Sequence, residues 1–433
     1  MRPEQEMIIG SRAGFKSYPG TESGQPRRRT FQLVLVAVAA MAGMFARAAL
    51  GPVQEVLQRS LALTDNQMAL LQGPALAAPL LLFSIPLGYL IDRYSRRNVL
   101  LWATLCNAGA TLAGGCTHTF AMLFLTRCVI GLCAPATAVA AYSLLADLYD
   151  TATRGRATTL VVLSQIAGTA SAFSVGGAFL ALVPSGPDSW RAALMLCTVL
   201  LLLPLAVVLA IDEPRRSGHT PQALPKQSIV GEMWALRDTV ITLVIGMAMV
   251  SVADGAALVW TAPTLTRNFG LLSPRAGQIT GVSLLIGGAA GPLLGGPLAD
   301  VCQKTGGPRR TTLLLGILGL ASALAAFYSV VPTARTSIFL LVLFLLLGSA
   351  MSVIVITLCI VVVPNELRGT TVALQSGAGA VFGLGLAPLF VSELSSALGG
   401  PAEIGKALAT VCAMTSLLGG IVFLRKCRHL PAS

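Results

Sequence analysis

The chain has 433 residues, of which 55% are apolar and 11% are charged, and its mean hydropathy is +0.77. Soluble domains carry about 25% charged residues, so this composition excludes a soluble enzyme, a nucleic-acid-binding protein and a disordered protein, and predicts a polytopic membrane protein. The formal net charge is +12. Because the basic residues lie in short clusters between apolar blocks, this charge indicates membrane topology and contacts with anionic lipid headgroups rather than nucleic acid.

The first predicted element is a polar arm. Residues 1–29 are rich in Gly, Ser, Pro and Arg, and they end in Arg27, Arg28 and Arg29. No apolar segment typical of a cleavable signal peptide precedes this basic cluster. The composition therefore predicts a disordered cytosolic arm that is stopped at the membrane by positive charge.

Twelve apolar segments follow, each close to the length of about 20 residues that a spanning helix needs. The first six predict an N-terminal bundle over 30–211, and the last six predict a C-terminal bundle over 238–425. The polar stretch 212–237 predicts a cytosolic linker, and 426–433 a cytosolic tail. The predicted fold is all-α, with twelve transmembrane helices in two pseudo-symmetric six-helix bundles. The predicted spans are 31–56, 66–91, 98–116, 119–146, 157–183, 190–211, 238–264, 275–300, 311–332, 336–363, 369–397 and 404–424.

Lys and Arg are distributed unequally between the loops. If both termini are cytosolic, 22 of the 30 basic residues lie on the cytosolic side, 6 lie on the opposite side and 2 fall inside spans. Cytosolic loops of membrane proteins carry such an excess. The distribution therefore predicts twelve spans with both termini in the cytosol. We expect the membrane to be a plasma membrane or a bacterial inner membrane.

The two halves repeat one charged pattern. Asp92 follows the second span and Asp300 follows the eighth, 208 residues later, and a basic loop comes after each of them. A repeat of six helices is typical of transporters that are built from two related bundles around a central site.

The sequence from Gly88 to Arg97 closely resembles the signature loop between spans two and three of the major facilitator superfamily, with Ser95 in place of the loop's second glycine. The stretches 127–131, 143–148 and 154–157, together with residues around Trp260, are similar to the spinster-like branch of that superfamily. The resemblance implies a cytosolic gate at Gly88, Asp92, Arg93, Arg96, Arg97, Asp147, Arg154 and Asp300. The alternative is a solvated loop whose arginines only set the topology.

The spinster-like resemblance implies an amphipathic substrate, such as a lysophospholipid or sphingosine phosphate, and proton coupling in some members. Two carboxylates of that branch are missing from this chain. Ala46 stands where the acid just before the span-one arginine is usual, and Ala134 stands where a glutamate of span four is usual. Neither alanine can take up a proton.

Charged residues within the spans are candidates for binding substrate or protons. Asp254 lies about 16 residues into span seven, near mid-membrane at 1.5 Å per residue. The 208-residue offset between the two halves makes Asp254 the counterpart of Ala46 in span one. A charged Asp at that depth costs about 2.5–3.5 kcal/mol. We therefore expect Asp254 to face the cavity, either protonated or paired with Arg47 of span one. Its alternative role is a structural ion pair or polar packing only.

Two further residues complete the candidate binding set of Arg47, Arg127, Asp254 and Trp260. Arg127 in span four either binds an anion or donates hydrogen bonds to neighbouring carbonyl groups. Trp260 lies in span seven. Glu55 and Glu393 lie near the outer ends of spans, where solvation is expected.

The function predicted from these features is secondary active transport by alternating access, with an amphipathic lipid-like or organic substrate. The expected partners are that substrate, membrane lipids and, if coupling exists, protons, but not nucleic acid. The chain has no Walker motif for ATP, no nucleophile–base constellation and no zinc-like cysteine or histidine spacing. We therefore expect no enzymatic activity, no cofactor and no metal site. The alternatives are a drug or small organic solute exporter, and a receptor or scramblase that does not transport.

Overall fold

The computed structural model describes residues 26–149, 151–211, 231 and 233–429. Most of the predicted arm and of the predicted linker therefore lie outside the described residues. Within these ranges the structure is helical, and it contains no β-strand. The all-α fold predicted from the hydropathy is confirmed.

The first half contains helices α1 to α8. The first predicted span ends earlier than expected, at Ala48, because Gly51 and Pro52 follow and proline cannot continue a helix. Residues 49–53 form a turn, and the short helix α2 begins at Gln54, so the last three residues of that predicted span lie in α2. The helices are α1 (Pro26–Ala48), α2 (Gln54–Ser60), α3 (Asp65–Gln72), α4 (Pro74–Arg93), α5 (Arg96–Gly115), α6 (Phe120–Leu148), α7 (Thr151–Leu182) and α8 (Ser189–Leu209).

The second half begins with α9 (Arg237–Arg267), which is followed by α10 (Ser273–Ala325). α10 contains a break at Gly306 and Gly307, and Gly307 has a φ of 59°, in the left-handed region that glycine adopts without strain. The remaining helices are α11 (Ala334–Val362), α12 (Asn365–Ala378), a π-helical segment (Gly379–Leu386), α13 (Ala387–Leu398) and α14 (Ile404–His429).

Ten helices in the described part of the chain are long and apolar enough to cross a membrane. One of these, Ser273–Ser329, has 57 residues and is broken at Gly306–Gly307, so it is long enough for two crossings. α5 has 20 residues, the length that one further crossing needs. The twelve-helix fold in two halves is thus the one that the hydropathy predicts.

The two halves touch along α7 and α10. A Cβ atom at Gly281 of α10 would lie 2.5 Å from the carbonyl oxygen of Ala170, and one at Gly177 of α7 would lie 2.6 Å from that of Pro274. Such close approach of two backbones is what small residues permit between membrane helices. We call one end of the molecule, to which both halves contribute, the arginine-rich end. It holds Arg93, Arg96, Arg97, Arg154, Arg309, Arg310 and Arg368.

Candidate functional site

A cavity of about 610 Å³ lies between the two halves. Helices α1, α3, α4 and α7 line it from the first half, and α9, α11, the π-helical segment and α13 line it from the second. Its volume lies within the range of small-molecule sites. Most of its wall is apolar, and its two charged lining residues are Arg47 and Asp254. The apolar side chains include those of Met44, Leu76, Leu80, Phe173, Met247, Leu258 and Leu384.

Arg47 and Asp254 enter this cavity from opposite halves. Arg47 lies at the end of α1, and Asp254 lies in the middle of α9. The structure records no ion pair between them and no hydrogen bond from either side chain to another described residue. The expected pair is therefore not formed in this structure, and both charged groups are available to a ligand.

Arg127 does not line the central cavity. Its side chain is 3% exposed, and its Nη2 atom donates a hydrogen bond of 2.7 Å to the carbonyl oxygen of Arg47. Its Nε atom donates a longer bond of 3.4 Å to the carbonyl oxygen of Leu71. Both carbonyls lie near the ends of helices, α1 and α3, where no backbone N–H group completes the helical pattern. The geometry favours the alternative in which Arg127 satisfies carbonyl groups, and it positions Arg47.

Trp260 is completely buried and does not line the cavity either. Its Nε1 atom donates a hydrogen bond of 3.0 Å to the carbonyl oxygen of Pro388, which is itself a lining residue. A buried indole N–H needs such a partner. Trp260 therefore ties α9 to α13 behind the cavity wall.

The π-helical segment forms part of the cavity wall. A Cβ atom at Gly383 would lie 2.5 Å from the carbonyl oxygen of Ser251 in α9, and one at Gly73 would lie 2.5 Å from that of Gly385. The segment is thus pressed between α9 of its own half and the α3–α4 junction of the other half. Single π-helical turns within longer helices are frequent at functional sites.

At the arginine-rich end, the predicted gate residues bind within the first half. Arg96 of α5 forms an ion pair with Asp147 of α6. Arg97 donates a hydrogen bond of 2.7 Å to the carbonyl oxygen of Leu209 in α8. Arg154 of α7 donates one of 2.7 Å to the carbonyl oxygen of Ala146 in α6. These bonds connect the ends of helices α5, α6, α7 and α8 with one another, and none of them reaches the second half.

The other predicted gate residues are not brought together. Arg93 lies over the ring of Tyr89, with 5.2 Å between its Cζ atom and the ring centroid. A Cβ atom at Gly88 would have no neighbour within 4 Å, and Asp300 is exposed in α10. Asp92 begins the charged pattern of the first half near the end of α4, but its side chain lies outside the described residues. A gate that joins the two halves through these residues remains a prediction.

The opposite end carries a charged cluster that the sequence analysis missed. Arg267, the last residue of α9, binds Asp65 of α3 through both of its Nη atoms, with N–O distances of 2.9 Å for each. Its Nε atom donates a hydrogen bond of 2.8 Å to Glu55 of α2, and its Nη2 atom donates one of 3.0 Å to Gln58. We call Glu55, Gln58, Asp65 and Arg267 the clamp, and this end of the molecule the clamp end.

The clamp joins the two halves and is shielded from solvent. The side chains of Arg267, Glu55 and Asp65 are 13%, 7% and 6% exposed. Solvation, expected for Glu55 from its position near the end of a span, is therefore wrong. Glu393 is exposed as expected, and it accepts a hydrogen bond of 2.6 Å from Asn66 of the first half. The sequence signal for this cluster was the position of three charged residues. Glu55 and Asp65 lie at the starts of α2 and α3, and Arg267 lies at the end of α9.

Comparison with known proteins agrees with this architecture. A family model described as the Major Facilitator Superfamily matches residues 36–374. The chain is similar to Protein spinster homolog 3 of Mus musculus, with 26% identity over 410 residues that cover 86% of this chain and 78% of the relative. It is also similar to Protein spinster homolog 1 of Xenopus laevis, with 24% identity over 400 residues, 85% of this chain and 74% of the relative.

Solved structures share the fold. One is the crystal structure of a bacterial homolog to the human lysosomal transporter Spinster in an inward-facing and unoccupied conformation, with a TM-score of 0.73 and 19% identity over 94% of this chain and 96% of that chain. Another is a D-xylose-proton symporter, with a TM-score of 0.69 and 15% identity over 90% of this chain and 97% of that chain.

Proposed function

Since the chain belongs to the Major Facilitator Superfamily and is a secondary transporter in the membrane, we propose that it carries an amphipathic, anionic lipid-like molecule through its central cavity. The observation that carries this proposal is the position of Arg47. Its guanidinium faces a largely apolar cavity and has no acidic partner among the described residues. Arginine binds carboxylate and phosphate groups through two parallel hydrogen bonds.

The apolar part of the cavity supports the same substrate class. Leu76, Leu80 and Leu258 line the wall together with Phe173, and an alkyl chain gains about 0.8 kcal/mol for each CH₂ group that it buries. An anionic headgroup at Arg47 and an alkyl chain along these residues would fill a cavity of about 610 Å³. The resemblance to the spinster-like branch implies the same class of substrate, and spinster homologs are among the relatives of this chain.

The distribution of basic residues supports an orientation. With the arginine-rich end in the cytosol, the loops obey the positive-inside rule, and both termini are cytosolic, in a plasma membrane or a bacterial inner membrane. The clamp end then faces outward and closes the cavity on that side. The units 30–211 and 238–425, connected by the linker 212–237, would rock about the cavity to open it in turn to each side.

Asp254 is the proposed site of the coupling ion. It is the acidic residue in the cavity wall, and it supplies the carboxylate that the positions of Ala46 and Ala134 lack. A carboxylate at this depth is costly when charged and unpaired, so it favours a bound proton or cation. Binding of a proton or cation at Asp254 would then be linked to the side of the membrane to which the cavity opens.

Flux into sealed proteoliposomes tests the substrate proposal. We expect the reconstituted protein to accumulate a lysophospholipid or sphingosine phosphate against its gradient. Arg47→Gln should reduce that uptake at least about tenfold, since a charge-assisted hydrogen bond contributes about 1.5–3 kcal/mol. The matched control is Arg335→Gln, because Arg335 is exposed at the start of α11 and does not line the cavity.

Other outcomes identify the alternatives. Uptake of small organic solutes but not of lysolipids would contradict the lipid substrate and support an exporter of drugs or organic solutes. Equilibration without accumulation would support a scramblase. Equal uptake by Arg47→Gln and Arg335→Gln would contradict headgroup binding at Arg47.

A further inference from the structure

Asp254 borders a second cavity, which lies inside the second half. This chamber has a volume of about 10 Å³ and is lined by segments of α9, α10, α11 and α14. Asp254 is the residue that lines both the chamber and the central cavity. A cavity of this size holds about one water molecule or one small ion.

Gly348 of α11 allows the carboxylate to lie at this position. A Cβ atom at residue 348 would collide with Oδ1 of Asp254 and would lie 3.3 Å from its Cγ atom. The carboxylate therefore packs directly against the backbone of α11. An alanine at position 348 would compete with the carboxylate for the same space.

Three residues that carry hydroxyl groups line the chamber together with Asp254. Ser322 of α10 and Ser416 of α14 share a hydrogen bond with 3.2 Å between their Oγ atoms, and they are 3% and 5% exposed. Thr415 donates its hydroxyl hydrogen to the carbonyl oxygen of Val411 at 2.8 Å. Its oxygen lone pairs are thus free to accept or to coordinate.

No described basic residue balances the charge of the chamber. Arg47 lies across the central cavity in the other half, and the described residues that line the chamber include no Lys, Arg or His. The nearby thiol of Cys412 donates a weak hydrogen bond of 3.5 Å to the carbonyl oxygen of Ala253 and carries no positive charge. An ionised carboxylate that packs against a helix backbone without a cationic partner is costly, so a bound counter-charge would stabilise it. Carboxylate and hydroxyl oxygens together are the ligands that hard cations prefer.

We propose that the chamber is a seat for one sodium ion, held by the carboxylate of Asp254 and by the hydroxyls of Ser322, Thr415 and Ser416. This inference rests on the proposed role of Asp254 in coupling and names the ion. A proton alone needs only the carboxylate, whereas the hydroxyls and the size of the chamber suit a dehydrated cation. The substrate and the ion would then bind on opposite sides of Asp254, so the ion does not compete with the substrate for Arg47.

Thermal unfolding of the purified full-length protein tests for sodium binding in the chamber, in the absence of substrate. Sodium chloride is exchanged for choline chloride at constant ionic strength, and the unfolding midpoint is followed as sodium rises. A ligand that binds only the folded state raises this midpoint. We expect a saturable rise for the wild type, none for Asp254→Asn, and an apparent sodium affinity at least about tenfold weaker for Ser416→Ala, a loss of about 1.4 kcal/mol.

Ser392→Ala is the matched control, because Ser392 is a buried serine of the same half whose hydroxyl bonds to the carbonyl oxygen of Leu389, away from the chamber. It should keep the affinity of the wild type. Equal midpoints in sodium and choline would overturn the proposal, and so would a sodium effect that persists in Asp254→Asn. Stabilisation by acid alone that disappears in Asp254→Asn would assign the seat to a proton instead. Sodium binding without lysolipid flux would contradict the proposed substrate but not the seat.

Discussion

At the arginine-rich end, Arg96 of α5 pairs with Asp147 of α6, whereas at the clamp end Arg267 of α9 pairs with Glu55 and Asp65. The first pair joins neighbouring helices of one half. The second cluster joins the two halves. Both are shielded, with side-chain exposures of 11% for Arg96 and 13% for Arg267. The difference lies in what each interaction connects and not in its chemistry.

This difference separates two roles for a charged contact in a transporter that works by alternating access. A bond within one half is kept when the halves rock, so it contributes to the stability of every state. A bond between the halves is lost when that end opens, so it stabilises only the state in which the end is closed. The clamp should therefore bias the protein towards the conformation that is closed at the clamp end, and the Arg96–Asp147 pair should not.

The largest effect is expected from Arg267→Ala. This change leaves Glu55 and Asp65 buried without their cation, which costs about 3–5 kcal/mol for a buried pair, so the clamp end should open. We expect a cysteine introduced at Leu258, a lining residue, to react at least about tenfold faster with a membrane-impermeant maleimide added from the clamp end. The site of labelling is assigned by mass spectrometry, since the chain has other cysteines.

Arg59→Ala controls for the loss of a positive charge at the same end. Arg59 also lies near Glu55, at 3.7 Å, but its side chain is 73% exposed, and exposed ion pairs contribute little. Labelling at position 258 should stay near the wild-type rate in this variant. If Arg267→Ala and Arg59→Ala label equally slowly, the clamp does not hold the end closed.

A smaller and different effect is expected from Asp147→Asn. The change removes the charge that pairs with Arg96 and should lower the free energy of unfolding by about 1–3 kcal/mol, measured by thermal unfolding. It should leave labelling at Leu258→Cys unchanged, because the pair lies within one half. Asp238→Asn is the control, since Asp238 is 84% exposed at the start of α9. Faster labelling in Asp147→Asn would mean that this pair also controls access.

The fold and the cavity charges were predictable because they depend on local sequence. Long apolar blocks between basic loops predict spanning helices wherever they occur. Arg47 and Asp254 were identified from their depth, since a charge in the middle of an apolar block must face the interior. The 208-residue repeat and the resemblance to the spinster-like branch pointed to the same two positions. Their proposed functions follow from this placement, but the pair between them does not form in the structure.

The clamp and the packing of Arg127 were less predictable because they depend on tertiary contacts. Arg267 lies 202 residues from Asp65 and 212 residues from Glu55 along the chain. A charged residue at the end of a span is solvated unless the other half of the molecule covers it. Arg127 has carbonyl partners only because α1 and α3 both end beside it. Neither arrangement leaves a periodic signal in the sequence.

The smallest effect is expected at the contact between Asn66 and Glu393, which also crosses between the halves. Asn66 donates a hydrogen bond of 2.6 Å to Glu393, whose side chain is exposed. Glu393→Ala removes the acceptor, but water replaces it, so the net loss is about 0.5–1.5 kcal/mol. We expect labelling at Leu258→Cys to rise by only a few-fold. Glu403→Ala is the control, because Glu403 pairs with Lys406 at 2.8 Å within the second half, and it should leave labelling unchanged. If contacts between the halves determine access to the cavity, labelling at Leu258→Cys must be faster in Glu393→Ala than in Glu403→Ala. This holds even though Glu403 forms an ion pair and the contact of Asn66 is not an ion pair. The reverse order would show that net charge at this end, and not the connection between the halves, sets how often it opens.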